Sequence, residues 1–129
     1  MQSSPVVVTL ADPDYPSRLA ATPGAPVRLY RRGPLPAADL AVAVVGARAA
    51  RGHAVALARS ISSDLARAGA VVVSGGAVGV DSAAHRGALE AGGKTIAVLA
   101  GGLDSPYPER NRPLFAEIMA AGGGLVSAQ

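Results

Sequence analysis

One stretch limits what this chain can fold into more than any other: Val71-Val72-Val73-Ser74-Gly75-Gly76-Ala77-Val78-Gly79-Val80-Asp81, continuing into Ser82-Ala83-Ala84-His85-Arg86-Gly87-Ala88-Leu89-Glu90-Ala91. A continuous run of β-branched residues reads as a strand buried on both faces. It breaks at Gly75, Gly76 and Gly79 and resumes as an Ala- and Leu-rich helix. In such a unit the first helical amides have no internal partner and carry the positive end of the helix dipole. The glycines let the main chain pass close to a ligand. The guest that suits this arrangement is an anion, most often phosphate. The spacing Gly-Gly-x-x-Gly matches neither the dinucleotide fingerprint nor a Walker loop. A tight turn that needs positive φ and close helix-sheet packing is therefore an alternative reading of the same glycines.

The same unit recurs on either side. Leu40 to Val45 is an apolar run that ends at Gly46-Ala47-Arg48-Ala49-Ala50-Arg51-Gly52. From Ala54 to Ala68 the residues Val55, Ala58, Ile61, Leu65 and Ala68 recur at three and four, which predicts a helix stopped by Gly69. Lys94 to Leu99 reads as a further strand opening on Ala100-Gly101-Gly102, Pro113 to Ala120 as a helix, and Leu125-Val126-Ser127 as the start of a last strand. Strands alternating with helices over short connections imply right-handed parallel crossovers. The expectation is a three-layer, Rossmann-like, doubly wound α/β fold with a mainly parallel sheet and helices on both faces. Ahead of it, Val6-Val7-Val8 is too short to classify, Ser17 to Ala20 follows an Asp/Pro turn as a brief helix, and Val27 to Tyr30 alternates like a half-exposed strand. Residues 1–39 are thus a lead-in packing on the sheet, and residues 40–129 the Rossmann-like domain.

Composition narrows the chemistry. The 129 residues suit a single core, and with 50% hydrophobic but only 3% aromatic residues that core is built from Val, Leu, Ile and Ala. No cysteine is present, which excludes disulfides, thiolate metal sites and a cysteine nucleophile, and fits a reducing compartment. His53 and His85 are not spaced as a ligand pair, so neither a metal nor another cofactor is expected. No apolar run approaches a membrane span and no signal-peptide pattern opens the chain, which reads as cytoplasmic. Eleven arginines stand against one lysine, and the net charge of +3 is compatible with a polyanion partner.

In open α/β sheets ligands bind outside the carboxyl ends of the strands. Gly46-Ala47-Arg48, Ser74-Gly75-Gly76 and Gly101-Gly102 each follow a strand, so three glycine loops converge on one rim. Arg48 stands there as a phosphate ligand or as a plain surface arginine. Gly79 closes the central loop, and Ser74 either bonds a phosphate or satisfies the turn. Asp81 caps the following helix or serves the site, and His85, one turn on, packs in the helix or faces the loop. Tyr107 offers a ring for stacking or forms a plain Tyr-Pro dipeptide. Lys94 enters its strand at the opposite end, which topology places away from the rim. With no nucleophile beside a base and no paired carboxylates, no catalytic residue is assigned and a binding module is favoured over an enzyme.

The ordered set Tyr15-Pro16, Leu29-Tyr30-Arg31-Arg32-Gly33, Val45-Gly46-Ala47-Arg48, Ser74 to Leu89, Gly93-Lys94-Thr95-Ile96-Ala97-Val98-Leu99, Gly102-Leu103-Asp104 and Tyr107-Pro108 resembles the DNA-processing protein A (DprA/Smf) family. The resemblance implies a Rossmann-like domain that binds and protects single-stranded DNA and helps load the RecA recombinase during natural transformation and recombination. It implies DNA contacts from Arg48, from the Ser74 to Gly79 loop, and from Lys94, against the topological argument, and it implies a homodimer. This chain has Gly46-Ala47-Arg48 where the family has Gly-Ser-Arg, and Gly75-Gly76-Ala77 where it has Gly-Leu/Met-Ala. The family pattern also continues through Ser-Glu and Arg-Asn-Arg past the final strand, whereas Ser127-Ala128-Gln129 closes this sequence, so the expectation is a truncated C-terminal end. The competing readings are a sensor of nucleotides or nucleotide sugars and a LOG-type phosphoribohydrolase, whose Pro-Gly-Gly-x-Gly-Thr-x-x-Glu signature the Gly75-Gly76 loop does not complete.

Overall fold

A computed structural model describes residues 4–129. The valine run forms strand β4 (Val71–Ser74), and the glycine loop leads into helix α3 (Val80–Glu90). Before them come β1 (Val6–Thr9), α1 (Ser17–Ala20), β2 (Arg28–Arg32), β3 (Ala41–Ala43) and α2 (His53–Arg67). After them come β5 (Thr95–Val98), a single 3-10 turn over Glu109–Asn111, α4 (Arg112–Ala120) and β6 (Gly124–Ser127).

The six strands form one sheet in the order β1-β2-β6-β5-β4-β3. From β3 to β6 each strand pairs in parallel with the next, through Val42↔Val72, Val73↔Ile96 and Ala97↔Leu125. The sheet is therefore the mainly parallel α/β sheet that the alternating pattern predicts. β1 and β2 extend it antiparallel on the β6 side, with Val8↔Leu29 and Arg31↔Val126 in register. The Val6-Val7-Val8 run becomes a strand because β2 supplies a partner, which no local pattern announces.

Strand order advances one way from β3 to β6, and the three long helices pack on one face. Val72 packs with Ala84, Ala88, Leu65 and Ala66, while Ala97 and Leu125 pack with Phe115 and Ile118. On the other face Val8, Leu29 and Val126 gather with Tyr15 and with Leu19 of α1. Helices thus lie on both faces, but unequally. Phe115, Ile118 and Leu125 are among the largest fully buried side chains, in keeping with a core short of aromatic residues. No helix among the described residues is long and apolar enough to cross a membrane.

Helix α3 begins at Val80, earlier than the Ala/Leu pattern alone marks, because Gly79 at φ 84° turns the chain straight into it. Strand β3 is shorter than its apolar run: it pairs only with β4, and Leu40 and Val45 at its ends are exposed.

Candidate nucleic-acid interface

The loops after β3 and β4 do meet, and they are bolted together by main-chain contacts. Val80 N donates to Ala47 O at 3.2 Å. A Cβ on Gly79 would stand 2.3 Å from Ala47 O and 2.5 Å from Arg48 O, and one on Gly46 would stand 2.8 Å from a Val80 methyl. Gly46 and Gly79 are therefore glycines because one loop lies directly on the other. This is the packing reading of those glycines rather than close approach to a ligand.

Part of the central loop's hydrogen-bonding capacity is used internally, by Ser74 and Gly75. Ser74 is buried, and its hydroxyl donates to Val44 O at 2.5 Å. Gly75 N donates to Asp81 Oδ2 at 3.1 Å, so a carboxylate from this chain already occupies the place of an anion. Asp81 accordingly does not cap α3, whose start has no side-chain cap; it reaches back to brace the loop. A Cβ on Gly76 would press on Leu99 and Phe115, and Gly76 O accepts a hydrogen bond from Asn111 Nδ2 at 2.8 Å. The Asn111 amide also donates to Ser82 Oγ at 2.8 Å, and Ser82 donates onward to Ala77 O. The turn before α4 is thus tied to the glycine loop.

His85 lies in the core and takes no part in the rim. It is fully buried, with Nδ1 2.7 Å from Thr95 Oγ1. Since that hydroxyl donates its proton to Val72 O, it accepts from the ring, which fixes the Nδ1–H tautomer. Burial lowers the imidazole pKa from 6.5 to about 4, with Asp81 acting weakly in the opposite direction. The ring is neutral at physiological pH and is not placed for proton transfer at the surface. Lys94 is at the far end: its main chain pairs with Val72 N, and its methylenes pass beside Gly122 where α4 ends. Gly101 and Gly102 are exposed with open space beside them, and Tyr107 is 80% exposed, its peptide bond to Pro108 cis.

The chemistry at the rim lies in its arginines. Arg48, Ala49, Ala50, Arg51, Val78, Gly79, Ser82, Arg110 and Asn111 line a cleft of about 550 Å³. Elsewhere Arg31, Arg59, Arg67, Arg86 and Arg112 face Asp14, Glu90, Asp64, Glu117 and Glu109 respectively. Among the described residues Arg48, Arg51 and Arg110 have no such partner, and all three are exposed at the mouth of one cleft. Unpaired guanidiniums grouped this way have the fork geometry that suits phosphate. Sequence reasoning found Arg48 and missed Arg51 and Arg110. Arg51 was visible as a second arginine in the same loop, whereas Arg110 is brought in by Asn111, whose partners stand 35 and 29 residues away. No group of three or more acidic or histidine side chains able to hold a metal gathers among the described residues.

The model of the DNA recombination-mediator protein A family matches residues 6–129. The chain belongs to that family. Among its relatives, a Smf protein of Synechocystis is 41% identical over 94% of this chain, and DprA of Streptococcus pneumoniae is 41% identical over 82% of it. The chain spans 32% and 38% of those two proteins' lengths. The family fold is also recovered among solved structures. S. pneumoniae DprA superposes with a TM-score of 0.80 at 34% identity, over 96% of this chain and 44% of that one. Helicobacter pylori DprA, solved in a study of its single-stranded DNA binding mode, superposes with a TM-score of 0.76 at 31% identity, over 95% of this chain and 55% of that one.

Proposed function

We propose that this member of the recombination-mediator family binds single-stranded DNA along the rim, with phosphates held by Arg48, Arg51 and Arg110. The convergence of those three unpaired arginines on one cleft carries the reading. The naming of the H. pylori relative's structure for single-stranded DNA binding supports it. Phosphate contacts position a strand without reading its sequence, so little base preference follows. In this reading Gly101 and Gly102 leave an open approach for the strand, while Gly46, Ser74, Gly75, Gly76 and Gly79 hold the arginine-bearing loops in place and Lys94 lies off the path. Protection of incoming single strands, loading of RecA, pairing of subunits and a cytoplasmic setting are carried as the family-level part of the proposal. Asp81 and His85 are engaged in bracing and packing, which supports binding over catalysis.

The test is fluorescence anisotropy with labelled oligothymidine and a duplex of equal length across a salt series. Three phosphate contacts at about −0.7 each give a slope of log affinity against log salt near −2. A slope near zero, or equal affinity for the duplex, removes the reading.

A further inference from the structure

A second cavity, of about 240 Å³, lies beside the cleft and is lined by Arg32, Asp104, Ser105, Pro106, Arg112, Phe115, Ala116 and Met119. The segment from Asp104 to Arg112 serves both places. Arg110 and Asn111 face the arginine cleft, whereas Asp104, Ser105, Pro106 and Arg112 face the second cavity.

We propose that this cavity is a nucleotide subsite, taking one base and its phosphate, and that it extends the DNA path beyond the arginine cleft. Its walls divide by chemistry. Ala116 and Met119, backed by the buried Phe115, form an apolar side of the kind that receives a base. Arg32 is 5% exposed and held by a hydrogen bond from Nη1 to Leu103 O at 2.8 Å, so a fixed guanidinium sits within the wall. Arg112 is half exposed at the mouth; its Nε donates to Pro106 O at 3.3 Å and its Nη1 is 4.0 Å from Glu109, a loose arrangement that leaves it able to turn to a phosphate. Asp104 and Ser105 supply acceptors for base N–H groups, and every base carries such a donor, so the subsite binds without strong sequence choice. Of the two arginines lining the cavity Arg112 is the exposed one, so the phosphate is assigned to it. Rigidity argues the same way: Gly33 of the β2 exit sits so close that a Cβ there would stand 2.9 Å from Met119, and Phe115 is 1% exposed, which fixes the shape of the wall.

The inference rests on the single-stranded DNA reading, and the experiment separates the two. Wild type, Arg112→Ala and Ala116→Leu are titrated with a thymidine trinucleotide, with an oligothymidine of about a dozen nucleotides, and with free thymidine monophosphate. Circular dichroism melts accompany each variant; both positions carry exposed or half-buried side chains on α4 and the fold is expected to be kept. The expected result is that both variants weaken the dozen-mer roughly tenfold and leave the trinucleotide unchanged. Arg112→Ala lowers the salt slope by about 0.7, whereas Ala116→Leu, which fills the cavity without changing charge, leaves the slope alone. Monophosphate binding lost in Ala116→Leu with no effect on the dozen-mer makes the cavity a site for free nucleotide and overturns its place on the DNA path. If wild type binds oligonucleotides and both variants match it on all three ligands, the subsite is overturned and the cleft reading stands. If wild type binds no oligonucleotide, the DNA reading falls and the subsite falls with it.

Discussion

Arg48 leaves β3 at the point where the neighbouring loop locks it in place, so its guanidinium is presented to solvent from a fixed main chain. A partly shielded guanidinium-phosphate contact contributes roughly 1 to 3 kcal/mol. Arg48→Ala should weaken DNA binding by about tenfold or more and leave the melting temperature unchanged, whereas Arg67→Ala, which removes only a surface pair with Asp64, should leave affinity intact. Equal losses in the two variants, read by anisotropy, would mean a diffuse basic surface rather than a site. His85 gives a prediction about pH. Its folded pKa of about 4 lies below the unfolded value of 6.5, so the unfolded chain takes up the proton first. The neutral ring's contribution is fully present above pH 6.5 and is lost as pH falls toward 4, by about 3 kcal/mol. Urea melts between those pH values should show that slope, and His85→Gln should flatten it. At this scale the sequence marks Arg48 through its place just past a strand, but it cannot say that Asp81 answers Gly75. That bond depends on how the loop folds back on its own helix.

The loops after β3 and β4 behave as one element rather than two. Gly79 at φ 84° with another loop's carbonyls against it is the least replaceable of the glycines, since an added methyl meets both an unfavourable backbone and a main-chain oxygen. Gly79→Ala should lower the melting temperature and reduce DNA affinity together, because the loop it displaces carries Arg48. Gly102→Ala meets nothing within 4 Å and should melt like wild type; if it unfolds the protein, the account of this rim by packing is wrong. The elements themselves were legible where period and punctuation agree: α2 from its three-and-four spacing, β4 from its valines, α4 from proline at the start and glycines at the end. β1 and the true length of β3 were not, because a strand's extent is set by its neighbours and not by its own residues. That Asp81 takes the Gly75 amide is hidden from the sequence for a related reason. A strand-glycine-helix pattern marks free amides only if no side chain of the same chain returns to them.

Across the whole molecule, the proposed site lies where parallel strands end, and the helices that follow those strands stand on one face of the sheet. That packing is unusually close at one point. Gly87 of α3 lies against α2 so tightly that a Cβ there would be 2.1 Å from Arg59 O, closer than any real contact. Arg59 stands six residues into α2, roughly 9 Å along the axis from its first turn, and that first turn is the anchor of the loop bearing Arg48 and Arg51. Gly87→Ala must therefore push the two helices apart, at a cost of about 1 to 3 kcal/mol, and should blunt DNA affinity although position 87 touches no part of the cleft. Paired thermal melts and anisotropy titrations check both effects. A single hydrogen atom in place of a methyl thus works as a spacer of fixed thickness between the two helices: in the DNA-binding reading it gauges how far the arginine jaw stands open, and it tunes the grip on the strand from a residue that never meets it.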